Sequence, residues 1–445
     1  MTSLVFLSCA TTSKKTLQLR KITDIELSNG LKILVVPDHS LPRVSLNLMV
    51  QVGSALEEVG YEGVNSLTLA MIEQGTSTRS ATQIADDFAQ IGSELNQSSG
   101  YDFSTISSSS LSVDKGELLS LFSDVVMNPS FSSGETDRKK SEFIATIKKQ
   151  RDQPSSYADL LFASSLYDSH PYAHSPIGTL DSIKSLSRSD LLKHYFRFYR
   201  PNNSRLAIVG DIDDAFIEKV KSTFEKWSAK PVMVNPVPVP TQAINRWKVE
   251  NKPSAQQTQI RIGHIGLKRS HPDYMSVRLA NFILGGDFTS RLNQRIRDDL
   301  GLTYSISSSF DFRLNEGPFL ISTFSRHDVV GKVLEETLKM MNDFVDKGVT
   351  EQELNTAKSV FKGQFPAVIE TADRYAGNIN ALRFYGVGEA YLANFNQLVS
   401  AVSVKQVNEA IKKYFKTQNL TVVLYTDKEK VMSQLKNPHF LFDFK

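Results

Sequence analysis

GVNSLTLAMIEQGT, residues 63–76, reads as a short apolar helix framed by Gly63 and by Gly75-Thr76. Ser66, Leu69 and Ala70 recur at helical spacing and offer a hydroxyl, an isobutyl and a methyl group. None of these holds zinc, which takes imidazole, carboxylate or thiolate donors. Leu69 cannot accept a proton from a water molecule. Ser66 has no evident base, so a serine-hydrolase reading finds no support.

Two further stretches belong with this one. Ser141-Glu142-Phe143-Ile144-Ala145-Thr146-Ile147-Lys148 reads as helix and is followed by Asp152-Gln153-Pro154, with Glu142 one turn before Thr146. Later, Gly285-Gly286-Asp287-Phe288-Thr289-Ser290-Arg291-Leu292 runs on through Arg297 to Tyr304. The two glycines let backbone approach backbone or substrate closely. The Arg297 guanidinium and the Tyr304 phenol can both donate to a carbonyl oxygen or to the oxyanion it becomes. The plain alternative is that Arg297 pairs on its helix and Tyr304 lies half-buried in the next strand.

In this order the three stretches resemble the pitrilysin/insulinase family of zinc metallopeptidases, whose inverted motif is H-x-x-E-H. Aligned on Gly63 and Gly75-Thr76, the histidine positions fall on Ser66 and Ala70 and the general-base position on Leu69. The distal glutamate ligand, which precedes an Ile-Lys and a D-x-P, falls on Thr146. The resemblance therefore implies a degenerate zinc site with no metal and no cofactor in this chain. It also implies that Arg297 and Tyr304 face the substrate and stabilise the transition state, with Gly285 and Gly286 beside them. Several members of the family work as pairs, one subunit carrying zinc and the other the arginine–tyrosine pair. By that resemblance this is the non-catalytic subunit of a heterodimeric zinc endopeptidase, active on peptides only with a zinc-bearing paralogous partner. The alternative is a purely structural or peptide-binding pseudo-peptidase, like the core subunits of the respiratory bc1 complex. An active hydrolase with a relocated metal site lacks a convincing ligand set.

The chain also reads as two related halves. Ser185–Asp213 and Val402–Glu429 each hold an amphipathic helix ending in Tyr-Phe, an Asn and an apolar strand, and Tyr195 and Tyr414 lie 219 residues apart. A repeat of that length means duplicated domains, not a solenoid. Four prolines within Lys230–Pro240 mark an extended linker between them. Strands are predicted at Ile22–Leu27 and Leu31–Val36, joined by an Asn29-Gly30 turn, then at Val44–Val52, Tyr101–Leu111 and Gln257–His264. Helices are predicted at Ala81–Ile91, Lys115–Met127, Ser133–Arg151 and Ala158–Leu166. The mixture has no regular βαβ rhythm and is α+β. With the resemblance it implies two homologous metallopeptidase-like α/β sandwich domains, each an antiparallel-rich sheet with helices packed on one side. The divisions are a leader at 1–16, an N-terminal domain at 17–228, the linker at 229–245 and a C-terminal domain at 246–445.

Composition bounds the rest. A formal charge of +3, from 51 basic and 48 acidic residues, is too balanced for a nucleic-acid binder. The single cysteine, Cys9, allows no internal disulfide. It ends the apolar run of MTSLVFLSC before a polar stretch, which resembles a bacterial lipoprotein signal without its basic start. Lipidation at Cys9 would anchor the protein to a membrane in the periplasm; the other reading is a frayed terminus with a buried thiol. His170-Pro171-Tyr172-Ala173-His174 has an H-x3-H spacing, but Pro171 argues for a loop, and the resemblance, which extends to a His-Pro loop before Pro176-Ile177-Gly178, implies a structural role for it. His264 and His271 read as surface or strand residues, not a catalytic pair.

Overall fold

The computed structural model describes residues 20–241 and 246–435, so the leader and Cys9 lie outside the described residues. The chain opens with the Asn29-Gly30 hairpin, in which β1 (Thr23–Glu26) runs antiparallel to β2 (Lys32–Pro37). β3 (Arg43–Val50), β4 (Asn96–Ser99), β5 (Ser104–Leu111) and β6 (Ser204–Gly210) complete a sheet of order β1-β2-β6-β3-β5-β4. The second sheet holds β7 (Arg246–Asn251), β8 (Thr258–Ile265), β9 (Ile306–Phe310), β10 (Pro318–Ser325) and β11 (Thr421–Thr426). Its order is β7-β11-β8-β10-β9.

Without β1 the two sheets have the same plan. Each begins with a parallel pair, β2 with β6 and β7 with β11, and continues antiparallel to its far edge. The sequence repeat falls at equivalent places. The helices Arg188–Phe198 and Val404–Tyr414 start at capping boxes on Ser187 and Ser403 and lead into β6 and β11. The fold is α+β with two homologous domains, as the patterning predicts.

Several predicted ends move by one or two residues, as at β3, and two starts shift further for local reasons. The strand expected from Tyr101 begins at Ser104, because Gly100 and Phe103 close the β4–β5 hairpin through a 3.0 Å backbone bond. The helix expected from Ala158 begins at Pro154 and runs to Tyr167. Proline's fixed φ and missing N–H suit the first helical turn.

The halves exchange helices. Pro154–Tyr167, from the first half, packs on β8 and β11 of the second sheet. Ala372–Phe384, from the second half, packs on β3 and β6 of the first. Each crossing has a buried polar lock. Asn380 donates to the Asn47 carbonyl at 2.9 Å and to Asn47 Oδ1 at 2.8 Å. Arg261, 2 % exposed, donates to Asp159 at 2.5 Å and to the Ser155 carbonyl at 2.9 Å. Arg383 adds a two-pronged bond to Asp24 at 2.9 and 3.0 Å. This explains why β3 is buried along almost its whole length, with Val44 to Val50 enclosed. Helices of its own half cover one face and the exchanged helix covers the other. Leu34, Val36, Ala207 and Val209 accordingly join the hydrophobic core of the second half.

Candidate functional site

The helix Val64–Met71 starts from Gly63 at φ +89. A Cβ there would stand 2.7 Å from the Ile177 carbonyl and 2.8 Å from Gly178 Cα, so the position takes only glycine. The backbone N–H groups of Gly63 and Asn65 donate to the Glu57 carboxylate at 2.9 Å each. Burial pushes the Glu57 carboxyl up to about 8, against the lowering effect of those two bonds.

The side chains of this helix are used internally. Ser66 donates to the Pro176 carbonyl at 2.6 Å and lies 2.9 Å from Ser99 Oγ. Asn65 Nδ2 donates to Ser99 Oγ and Ser104 Oγ, both at 2.8 Å, and its Oδ1 accepts from His194 at 3.1 Å. Burial lowers His194 to about 3, so its ring is neutral and donates through Nε2. Leu69 is 2 % exposed in the first half's apolar core. Ala70 presents only a methyl group. Thr146, on the helix Ser133–Asp152, is exposed and donates to the Glu142 carbonyl one turn back at 2.9 Å. Glu142 itself pairs with Arg138 and Lys139. These four positions do not fit a zinc ion: two are hydrocarbon and the two hydroxyls are held by carbonyls. Among the described residues no three His, Cys, Asp or Glu side chains are grouped to hold a metal.

The H-x3-H segment is a turn in which the two rings do different jobs. His170 accepts from the Tyr172 N–H at 3.0 Å and donates to the Pro238 carbonyl at 2.8 Å, fastening the linker. His174 stands 3.8 Å from Glu57. His264 is fully buried in β8, where it accepts from the Lys416 N–H at 3.2 Å. His271 is half-buried, its ring edge-on to Tyr414.

The second half is built differently. Phe282–Gly286 and Asn293–Asp299 are wound as wide π-type turns. Gly285 is needed by packing: a Cβ there would meet Ser308 Oγ at 2.5 Å and the Ser308 backbone nitrogen at 2.8 Å. This tight seat on β9 presents the loop after Gly286, where Phe288 is 67 % exposed. The Arg297 guanidinium lies 3.7 Å above the Phe288 ring, and its Nε donates to Asp298 at 3.1 Å. The chain then turns at Gly301, whose N–H bonds back to the Arg297 carbonyl at 3.1 Å. Thr303 anchors the segment leading into β9 by donating to the Phe324 carbonyl at 2.5 Å. Tyr304, between these fixed neighbours, is 86 % exposed. The half-buried strand position that its residue type alone suggests is not what it occupies. A guanidinium and a phenol presented this way can donate to an oxygen of a bound peptide.

Comparison with known proteins agrees with this geometry. The family model described as insulinase (peptidase family M16) matches residues 32–180, and the model described as peptidase M16 inactive domain matches residues 185–361. The chain belongs to peptidase family M16. A solved M16 inactive domain from Pseudomonas fluorescens has a TM-score of 0.84 and 28 % identity, covering 91 % of this chain and 98 % of that one. The "uncharacterized zinc protease YmxG" of Bacillus subtilis is 24 % identical over 87 % of this chain and 94 % of its own length. The "non-peptidase homolog YmxG" of Helicobacter pylori is 22 % identical over 93 % of this chain and 96 % of its own. Within M16 this chain is a pseudo-peptidase type, with the family's fold and a replaced zinc motif.

One signal in the sequence goes beyond the alignment of motifs. Ser66-Leu67-Thr68-Leu69-Ala70 and Ser276-Val277-Arg278-Leu279-Ala280 share the pattern S-x-x-L-A. Both lie on eight-residue helices, Val64–Met71 and Tyr274–Asn281, that pack against the Tyr-Phe helix of their own half. The former metal helix thus carries the same packing pattern as its metal-free counterpart. Phe288 is a second such signal, an aromatic residue within a glycine- and hydroxyl-rich loop.

Proposed function

We propose that this M16 chain is the non-catalytic subunit of a heterodimeric zinc endopeptidase. The observation that carries the reading is an asymmetry between the halves. Of the four metal positions, Ser66 and Thr146 donate to backbone carbonyls, Leu69 is buried in the core and Ala70 offers only a methyl group, while Tyr304 stands exposed next to the turn after Arg297. In the assembly a paralogous subunit with an intact H-x-x-E-H supplies zinc and the general base. Arg297 and Tyr304 donate to the scissile carbonyl as it becomes an oxyanion, and the Gly285-Gly286 loop lines the peptide's path. Lipidation at Cys9 would tether the pair to a periplasmic membrane face; among the described residues no helix is long and apolar enough to cross a membrane.

The test is co-expression with such a paralogue. The reading predicts a one-to-one complex that cleaves peptides and holds zinc only in the partner, with no turnover by either subunit alone. One tightly held zinc per isolated chain would overturn it. Membrane partition of the protein made with its full leader, compared with Cys9→Ser, tests the tether. A purely structural role is the second reading, favoured by the stacking of Arg297 on its own Phe288 and its pairing with Asp298. That reading predicts a stable complex whose turnover ignores Arg297 and Tyr304.

A further inference from the structure

The second half contains a cleft that the peptidase-like site does not use. Two adjoining hollows of about 490 and 300 Å³ share a wall of Arg269, Tyr274 and Tyr391. The Arg269 guanidinium lies 3.8 Å from the centre of the Tyr274 ring and 4.8 Å from that of Tyr391. The two ring centres are 6.4 Å apart, so the rings flank the guanidinium on adjacent sides, and among the described residues its N–H groups meet no acceptor. Arg278 stands alongside, 4.8 Å from the Phe361 ring, with one long 3.4 Å bond to the Tyr391 hydroxyl. Among the described residues neither arginine pairs with a carboxylate; Asp273 lines the larger hollow, where it pairs with Lys413 and the Tyr414 hydroxyl, and the smaller hollow is lined by two arginines and no Asp or Glu. Its floor is apolar, with Phe365 and Phe395 buried and stacked at 4.0 Å.

Two half-buried like charges without counter-ions repel each other and lose hydration. Planar guanidinium forks match carboxylate and phosphate groups, and aromatic cladding fixes them in advance of binding. We infer that this cleft binds an organic anion, its carboxylate or phosphate head between Arg269 and Arg278 and its apolar body on the Phe365–Phe395 floor. The site belongs to this chain alone and stands whether or not the heterodimer reading holds.

The experiment is titration calorimetry on the isolated protein at low salt with three probes: 4-phenylbutyrate, phenyl phosphate and the neutral 4-phenylbutanol. The two anions separate carboxylate from phosphate as the preferred head. At least one anion should bind, the alcohol about tenfold more weakly or not at all, and Arg269→Gln or Arg278→Gln should each weaken that anion about tenfold. Arg326→Gln, outside the cleft, should change nothing. Gln364→Trp, at an exposed position on the cleft's rim, should abolish binding without touching either arginine. Thermal melting confirms folding of each variant. The inference is overturned if no probe binds, if the alcohol binds as tightly as the anions, or if the folded arginine and Gln364 variants bind like the unaltered protein.

Discussion

Asn380→Ala tests the exchange of helices between the halves. Asn380 is fully buried, and its amide nitrogen makes both hydrogen bonds to Asn47 on β3, across 333 residues of sequence. Alanine removes both donors: Asn47 Oδ1 is left buried and unpaired, while the Asn47 carbonyl loses its second bond but keeps its place in the β3 ladder. An orphaned acceptor costs about 1–3 kcal/mol and a lost extra bond about 1 kcal/mol. Asn380 Oδ1 is itself without a partner, and deleting it returns part of that cost, so the net loss should be about 1–3 kcal/mol. The chain holds two tryptophans. Trp227 packs in the first core and Trp247 lies on β7 of the second sheet. Replacing each in turn by phenylalanine gives two single-tryptophan proteins that report the halves separately in denaturant unfolding. Because the exchanged helix belongs to one half and packs on the other, both transitions should move together. A loss below about 0.5 kcal/mol, the range of an ordinary surface substitution, or a shift confined to one half, would refute the reasoning.

Two further perturbations act on buried contacts. Gly285→Ala forces a Cβ to within 2.5 Å of Ser308 Oγ and 2.8 Å of the Ser308 backbone nitrogen. It should cost about 1–3 kcal/mol and displace the Phe288 loop, visible as a lowered melting temperature together with lost turnover in the proposed heterodimer. His194, held near 3 in the fold against an ordinary 6.5, makes stability pH-dependent. Between those values the unfolded chain binds the extra proton, so this stabilisation is complete above pH 6.5 and falls by about 1.4 kcal/mol per unit as pH drops. Glu57, raised by burial to about 8, acts in the opposite sense, losing its contribution as pH rises from 4.5. His194→Gln keeps a donor for Asn65 and should remove one proton's share of the acid-side slope between pH 6.5 and 4. An unchanged slope in denaturant midpoints would contradict this.

Much of the fold is legible because its signals are local. Asn29-Gly30 specifies its own turn, Ser187 and Ser403 announce their helices through capping boxes, and Lys115–Met127 carries its buried stripe. The replacement of the zinc ligands is likewise visible in residue types alone. The features that sequence reading missed depend on contacts between distant residues or on backbone winding. No local pattern tells that the helix after Pro154 will lie on the other half's sheet, since its apolar face suits either. The partners that hold it, Ser155 and Asp159 against Arg261, become meaningful only once they meet. The π-type turns at Phe282–Gly286 and Asn293–Asp299 have ordinary helical composition, so the stacking of Arg297 on Phe288 could not be foreseen. Nor does the residue type of Tyr304 show that it stands out in solvent.

The most direct measurement is peptide hydrolysis by the proposed heterodimer, reconstituted with Tyr304→Phe or Arg297→Ala in this subunit. Tyr304 is 86 % exposed, so loss of its hydroxyl leaves packing intact, and gel filtration should show normal assembly of both variants. If the phenol donates to the developing oxyanion, Tyr304→Phe should lower kcat about 10²–10³-fold. Arg297→Ala should lower it at least as much and raise KM by weakening carbonyl binding in the ground state. Near-normal turnover by both variants in an intact complex would contradict the account and leave this chain a structural subunit.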